Sequence, residues 1–232
     1  MIREIVLDTE TTGLSPRDGH KIVEIGAVEL INHMPSGENF HVYLDPQREM
    51  PKEAEAVHGL SASFLKGKPL FAAVAQDFLT FVADSVLVIH NASFDMSFIN
   101  SELKAIDRAP IDMGQVIDTL AIAKQKHPMA SNSLDALCKR YGIDLSRRTK
   151  HGALLDSELL AEVYLELIGG RQTALGLATP TAKAGTTFAT QRLSTTVRPN
   201  PLPPRLTESE RAAHAALVVE LGEKSLWRLS QN

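Results

Sequence analysis

Residues 3–13 read REIVLDTETTG and residues 21–32 read KIVEIGAVELIN, and these two stretches decide the fold class. Both are short, β-branched and mostly apolar, which is typical of strands buried in a sheet. Residues 39–44 (NFHVYL) predict a third strand, which completes a β-meander. Helical segments then alternate with one more apolar strand at residues 86–89. This order predicts an α/β protein with helices flanking a mixed β-sheet.

The helices are predicted from apolar residues that recur at three- and four-residue intervals. A short helix begins near Pro51, which we place in the first turn, where proline is tolerated. The other helices are expected at residues 70–83, 94–105, 119–126, 133–141 and 153–168. Together with the strands they make residues 1–170 one folded unit.

The chain beyond residue 170 has a different composition. Residues 171–205 contain five basic and no acidic residues, eight threonines and five prolines. Such a stretch cannot bury enough apolar area to order itself, so residues 171–206 are predicted to be a flexible linker. Within the terminal segment, residues 207–232, the pattern Thr207-Glu-Ser-Glu210 is that of a capping box. It predicts a helix that runs to about Leu221.

Composition restricts the class of protein. With 44% apolar and 22% charged residues, the 232-residue chain can bury a core, which excludes global disorder. No apolar run approaches the roughly 20 residues of a membrane helix, and the N-terminus lacks the layout of a signal peptide. The single cysteine, Cys138, cannot form an internal disulfide or a thiolate metal cluster. We therefore expect a cytoplasmic protein.

Net charge differs between the two parts of the chain. Residues 1–170 carry 16 basic and 24 acidic residues, a net of −8, whereas residues 171–232 have a net of +4. An acidic body argues against a broad surface that grips phosphates. It remains compatible with a nucleic-acid enzyme whose acidic residues hold cations.

Two carboxylates end the first strand. Asp8 and Glu10 are two residues apart, so they share a face of the strand with Val6. Buried carboxylates side by side repel each other unless a cation or protons intervene. A solvated strand end would explain the same pair without a cation.

Two further carboxylates occupy helices. Asp95 lies in the first turn of the helix that follows residues 86–89, where the helix dipole alone stabilises an acid by about 0.3–1 kcal/mol. Asp156 lies on the apolar stripe of the last helix of the body, so it needs a partner. His151 can reach the same site, and a purely structural His151–Asp156 pair is the alternative.

These side chains in combination predict a metal site. Four oxygen ligands, no usable cysteine and one nearby histidine favour the hard cations Mg²⁺ or Mn²⁺ over Zn²⁺. Two such ions can stabilise the attacking and leaving oxygens of an in-line phosphoryl displacement. A histidine can take the proton from the attacking water.

Three motifs carry a family resemblance: DTETTG at 8–13, HNASFD at 90–95 and HGALLD at 151–156. In order and context they resemble the motifs of the DEDDh 3′→5′ exonucleases, over essentially all of residues 1–170. The resemblance implies a ribonuclease-H-like fold and a two-metal hydrolysis that releases nucleoside 5′-monophosphates from a 3′ end. It makes His151 the general base, and the metal-site carboxylates Asp8, Glu10, Asp95 and Asp156.

Within that family the likeness is greatest to members that proofread for bacterial replicative DNA polymerases, which implies a DNA primer 3′ end as substrate. The stretch at 51–59 resembles a family segment and implies that Glu53 and His58 contact the terminal nucleotide. An ordinary helix glutamate and a helix-end histidine are the alternative. The backbone N–H groups of residues 9–12 are expected to face the 3′ nucleotide, and Leu14 and Phe94 to wedge against its base or sugar. The expected substrate-binding residues are therefore Asp8, Thr9, Glu10, Thr11, Thr12, Leu14, Glu53, His58, Phe94 and Asp156.

Two segments of the tail imply partners. QTALGL at 172–177 resembles the Q-x-x-L-x-L peptides that dock on the bacterial sliding clamp, through Gln172, Leu175 and Leu177. The terminal helix is marginal alone in water, so we expect it to fold on a partner. The family resemblance implies that this partner is the catalytic subunit of the polymerase. The residues expected at that interface are Leu217, Leu221 and Trp227. Packing back onto the nuclease body is the alternative, and a small accessory subunit on that body is left open.

Two rival functions remain. A stand-alone DEDDh enzyme that trims RNA or oligonucleotides would need neither the linker nor the tail. A non-catalytic adaptor between clamp and polymerase would have no use for four converging acids.

Overall fold

The computed structural model describes residues 2–146, 148, 150–169 and 206–221. The chain divides into two units, residues 1–178 and 179–232. Residues 171–205 of the predicted linker, which include residues 172–177, and Trp227 lie outside the described residues. None of the described helices combines the length and the apolar character needed to cross a lipid bilayer.

The first unit is built on one five-stranded sheet in the order β3-β2-β1-β4-β5. The strands are β1 (Arg3–Thr11), β2 (Ile22–Ile31), β3 (Met34–Tyr43), β4 (Val86–Ile89) and β5 (Val116–Asp118). The first three form the antiparallel meander, whereas β4 and β5 run parallel to β1. The mixed sheet predicted from the sequence is therefore confirmed. The three-residue β5 was missed, because so short a run shows no periodicity.

The helices agree with the predicted positions to within about two residues. They are α1 (Lys52–His58), α2 (Ala62–Leu65), α3 (Phe71–Val82), α4 (Ala92–Ala105), α5 (Thr119–Lys126), α6 (Leu134–Tyr141), α7 (Ala153–Leu167) and α8 (Glu208–Glu220). Pro51 is the residue before α1 and not in its first turn, which corrects the prediction. The one-turn α2 was also missed.

Alternate residues of β1 face two different helical layers. Ile5 and Leu7 are fully buried in a core formed with α3 and α4, which includes Phe78 and Phe98. Val6 is fully buried on the opposite face, where it packs with residues of α7. Burial of each large side chain contributes about 1.5–3 kcal/mol. Asp8 and Glu10 continue the face that α7 covers.

Helix α7 begins unusually close to the sheet because of Gly26 on β2. A Cβ atom at this position would overlap the backbone of Ala153 and Leu154. The Ser157 hydroxyl also donates a 2.8 Å hydrogen bond to the Gly26 carbonyl oxygen. Gly26 pairs with Asp8 across the β1–β2 ladder. The first turn of α7, which carries Asp156, is therefore held beside the end of β1.

The described part of the second unit is α8. The Thr207 hydroxyl accepts from the Glu210 backbone N–H, and the Glu210 carboxylate accepts from the Thr207 backbone N–H at 2.8 Å. The predicted capping box is therefore confirmed. Leu217 and Leu221 are 51% and 52% exposed.

Candidate functional site

Asp8 and Glu10 stand at the carboxyl end of β1. Burial raises the pKa of Asp8 well above its usual value, and repulsion by Asp95, Glu10 and Asp156 adds to the shift. Burial likewise raises the pKa of Glu10 to about 8, with further repulsion from Asp156. Among the described residues, neither carboxylate accepts a hydrogen bond from a protein donor. The free energy of this arrangement is therefore lowered by protons or cations.

Glu24 is an acid that the sequence analysis did not single out. It pairs with Glu10 across the β1–β2 ladder, is 3% exposed and helps to raise the pKa of Glu10. His41 Nε2 lies 2.7 Å from its carboxylate. Its position in the alternating strand was visible in the sequence, but its pairing with Glu10 depends on the strand register.

Asp95 reaches the site from the opposite face of the sheet. It is 3% exposed in the first turn of α4, and its Oδ1 accepts from Thr9 N at 3.0 Å and Thr9 Oγ1 at 2.7 Å. Burial raises the pKa of Asp95 to about 7, although the hydrogen bonds from Thr9 oppose that shift. The end of β1 thus joins acids from both helical layers.

These bonds correct one expectation. The Thr9 N–H is donated to Asp95, and the Thr12 N–H is donated to the Lys21 carbonyl at 2.9 Å. The prediction that these two amides present their N–H groups to a nucleotide was therefore wrong. Thr9 thereby holds Asp95 in place, whereas Thr12 ties the segment after β1 to Lys21.

Asp156 and His151 complete the acidic cluster. Asp156 is 3% exposed, and its Oδ2 lies 3.2 Å from His151 Nδ1. Ligand atoms of Glu10, His151 and Asp156 all lie within 4.8 Å of one another. The side chain of His151 is 47% exposed, so its ring lies at the mouth of the site.

Arg148 holds this cluster together and was missed by the sequence analysis. Its Nε and Nη2 each donate a 2.6 Å hydrogen bond to one oxygen of Asp156, and its Nη1 binds Asp135. Its Nη2 also lies 2.7 Å from His151 Nδ1. A guanidinium can only donate, so in this arrangement the Nδ1 atom of His151 accepts and Nε2 carries the proton. No sequence motif signalled Arg148, because its loop position gives no periodicity.

The donor set fits a divalent cation. Four carboxylates meet here, and among the described residues the guanidinium of Arg148 offsets only part of their charge. Asp8 and Glu10 keep their oxygens free of protein donors within the described residues, and carboxylate oxygens are the ligands that hard divalent cations prefer. The residues that would hold such an ion are Asp8, Glu10, Asp95 and Asp156.

The predicted nucleotide contacts lie in different environments. His58 is 6% exposed; its Nδ1 accepts from the Leu60 N–H at 3.0 Å, and its Nε2 has no hydrogen-bond partner among the described residues. Leu14 is 86% exposed, and Glu53 is exposed on α1. The ring of Phe94 is partly buried and packs on Phe98 with 5.1 Å between centroids.

Comparison with known proteins assigns the class. The sequence profile of the exonuclease family (RNase_T) matches residues 5–164. Among solved structures, Escherichia coli exonuclease I in complex with a dA16 oligonucleotide superposes with a TM-score of 0.64 at 19% identity, over 74% of this chain and 42% of that one. The nuclease domain of 3′hExo, a DEDDh family member bound to rAMP, gives 0.63 at 17% identity, over 72% and 92%. Fold and site together define an exonuclease whose acids suit a divalent cation.

Closer relatives narrow the class. The DNA polymerase III subunit epsilon of Rickettsia felis is 56% identical over 75% of this chain and 77% of its own length. The subunit of the same name from Escherichia coli K12 is 46% identical over 97% of both chains. The chain belongs to the exonuclease family, within which it is a DEDDh member of the epsilon type.

Proposed function

We propose that this protein is the 3′→5′ proofreading exonuclease of a bacterial replicative DNA polymerase, acting on the primer 3′ end in the cytoplasm. The observation that carries the proposal is the meeting of Asp8, Glu10, Asp95, Asp156 and His151 at one edge of the sheet. The 97% coverage of an epsilon subunit supports the assignment to a polymerase.

The reaction is hydrolysis of the terminal phosphodiester with release of a nucleoside 5′-monophosphate. Two Mg²⁺ or Mn²⁺ ions, when bound, supply Lewis acidity at the phosphate and lower the pKa of a water molecule. Asp8, Glu10, Asp95 and Asp156 hold and orient that pair. His151 takes the proton of the attacking water, because its exposed ring lies at the mouth of the site.

The tautomer of His151 is decisive for this role. If Nδ1–H donates to Asp156 at the observed 3.2 Å, Nε2 becomes the atom that accepts the proton. While Arg148 donates to Nδ1, the opposite tautomer is held. The active arrangement therefore requires Arg148 to release Nδ1.

Residues around the cluster bind the terminal nucleotide. Because His58 Nδ1 accepts from Leu60, its buried Nε2 carries a proton. That proton is only weakly engaged by the Thr11 backbone, so it can be donated to the nucleotide. Glu53 adds a polar contact, and Leu14 and Phe94 pack against the base or sugar. Of the threonines expected here, Thr11 contributes a contact to the nucleotide, while Thr9 supports Asp95 and Thr12 pairs with Lys21.

The tail connects the nuclease to its partners. Gln172, Leu175 and Leu177 dock on the sliding clamp, and Leu217, Leu221 and Trp227 bind the alpha subunit of polymerase III. The exposure of Leu217 on α8 and of Leu221, the residue that follows it, supports the second interface. A small accessory subunit on the nuclease body is a further possible partner.

The test compares the wild-type chain with Asp8→Ala on primers with a mismatched or a paired 3′ end. With Mg²⁺, wild type should release mononucleotides faster from the mismatched end, because a frayed terminus is cheaper to unpair. Asp8→Ala, or a chelator, should abolish release. The matched control is Asp84→Ala, which removes an exposed acid that precedes β4. Equal rates for the two primers would refute proofreading, and full activity of Asp8→Ala would refute the site.

A further inference from the structure

The basic residues of the body are concentrated in one segment. Residues 119–150 contain seven basic and two acidic residues. Residues 1–118 contain nine basic and eighteen acidic residues, and residues 151–170 contain four acidic and no basic residues. The segment comprises α5, α6 and their flanking loops, so a cationic surface is built into an otherwise acidic unit.

This segment borders the catalytic edge of the sheet. A depression of about 430 Å³ begins where β4 ends, at His90 and Asn91, and continues along Lys124, His127 and Asn132. His90 Nε2 lies 2.9 Å from the Asn132 carbonyl oxygen, which joins the end of β4 to the loop before α6. The depression therefore opens beside the start of α4, because Asn91 directly precedes the first turn, which carries Asp95.

A second depression continues the cationic surface to the other side of the site. It has a volume of about 260 Å³, and its lining residues are Asp135, Lys139, Leu145, Arg148, Lys150 and the proposed general base His151. Helix α6 borders both depressions, since Ser133 before its first turn lines one and Lys139 in its last turn lines the other.

The cations of this surface are available to a ligand. Lys124, Lys126, Lys139 and Lys150 are exposed, and within the described residues none of them forms an ion pair. Arg140 is fixed at the rim by a 3.0 Å hydrogen bond from Nη2 to the Ser131 carbonyl oxygen. Lys126 and Arg140 both lower the pKa of His127, after desolvation, so positive charges crowd this rim.

A nucleic-acid strand is the ligand that matches this surface. Four carboxylates at the site repel phosphates, so the strand that leads to the scissile bond needs attraction outside them. Exposed lysines along a groove supply it without reading sequence. A rival basic depression of about 420 Å³, lined by Arg17, Lys104 and Arg108, lies along the second half of α4. That half runs away from the carboxyl edge of the sheet.

We propose that the α5–α6 surface, defined by Lys124, Lys126, Lys139, Arg140 and Lys150, binds the phosphates of the single strand that precedes the 3′-terminal nucleotide. The proposal rests on the proposed nuclease function and adds the path of its substrate. It predicts that these lysines matter for long substrates and not for a substrate of one nucleotide.

The experiment uses the full chain with Lys124→Gln, Lys126→Gln and Lys139→Gln combined. Binding of a fluorescent 12-nucleotide single strand is measured by anisotropy in chelator between 50 and 200 mM KCl. The loss of three phosphate contacts should make the negative slope of log K against log salt concentration shallower by about 2. It should also weaken binding at 50 mM KCl at least about tenfold. With Mg²⁺, kcat/KM for the 12-mer should fall about tenfold. Hydrolysis of the p-nitrophenyl ester of thymidine 5′-monophosphate, which has no upstream phosphate, should lack this loss.

The matched control combines Arg17→Gln, Lys104→Gln and Arg108→Gln, which removes three cations from the rival depression. An equal loss of binding in this control would overturn the proposal, as would equal losses on the 12-mer and the ester. If the lysine triple variant binds the 12-mer normally but no longer associates with the polymerase subunit, the surface binds a protein and the proposal is overturned. If the wild-type chain degrades neither substrate, the nuclease function itself fails, which is a separate result.

Discussion

The two ends of the β1–α7 pair bury acids in opposite ways. At the start of β1, Glu4 is 2% exposed, but Tyr164 of α7 donates a 2.7 Å hydrogen bond to Oε1 and His33 Nδ1 lies 2.7 Å from Oε2. At the other end of the same strand, Asp8 and Glu10 face Asp156 of the same helix. There most of the charged neighbours are other carboxylates, and the guanidinium of Arg148 is bound to Asp156.

The difference separates a structural acid from a functional one. A buried carboxylate with partners on both oxygens stabilises its surroundings once those partners are in place. A buried cluster of like charges is retained at a cost to stability, which a bound cation can offset. Burial alone therefore does not identify the site, whereas burial among like charges does.

The largest expected effect on activity is at the end of β1 that carries Asp8 and Glu10. Glu10→Gln should lower kcat/KM for oligonucleotide hydrolysis by about 10³ or more, because a carboxylate that orients the cations is lost. The same change should raise the unfolding temperature in chelator, because it removes repulsion. Activity assays and thermal unfolding check both, with Glu38→Gln on the exposed face of β3 as the control. Lower stability of Glu10→Gln in chelator would contradict the claim that Glu10 is repelled by its neighbouring carboxylates.

A change at Glu4, at the start of β1, should have the reverse effect: a large loss of stability and little loss of activity. Glu4→Ala should cost about 3–4 kcal/mol of unfolding free energy, since it leaves the Tyr164 hydroxyl buried without its acceptor. Activity per folded molecule should stay within about twofold. Tyr164→Phe, which keeps the His33 contact, should cost about 1–2 kcal/mol. Urea unfolding measures these differences, and a loss of activity comparable to that of Glu10→Gln would erase the distinction between the ends.

The pH dependence of stability sharpens the comparison. Glu10 has a pKa of about 8 when folded against a reference of 4.5, and Asp95 about 7 against 3.8. Between those values the folded state binds more protons than the unfolded state, so the unfolding free energy falls as pH rises. In chelator we expect a loss on the order of 3 kcal/mol from pH 5 to pH 8. Mg²⁺ should reduce that loss, and a flat profile in chelator would argue against the shifted acids.

The smallest expected effect concerns Arg148, which occupies both oxygens of Asp156. Arg148→Met should tighten Mn²⁺ binding by about tenfold, or about 1.4 kcal/mol, because the cation no longer competes with the guanidinium. In chelator the variant should unfold at a lower temperature. Calorimetric titration measures the affinity, with Arg140→Met as the control on α6. Weaker Mn²⁺ binding would mean that Arg148 supports the ion and does not compete with it.

Sequence patterns predicted the regular elements because their signals are local. The strand at 86–89 and the helix at 119–126 were predicted with the bounds that the structure has, since apolar runs and caps define them. The three acidic motifs were recognisable for the same reason. The Thr9 N–H was misassigned because its partner, Asp95, lies 86 residues away in the chain. Glu24 and the Thr12 N–H were missed or misassigned because their contacts depend on the β1–β2 pairing, and Arg148 because its loop position gives no periodicity.

The sequence by itself determined which acids this protein carries, on which elements they lie, and that β1 is buried on both faces. Only the tertiary structure decided which acids are satisfied and which repel one another. The physical reason is that electrostatic energy depends on distance and burial, which Gly26 sets by admitting the first turn of α7 against β2. Glu4 and Glu10 look alike as residues of one strand, and their surroundings in space make one structural and the other functional.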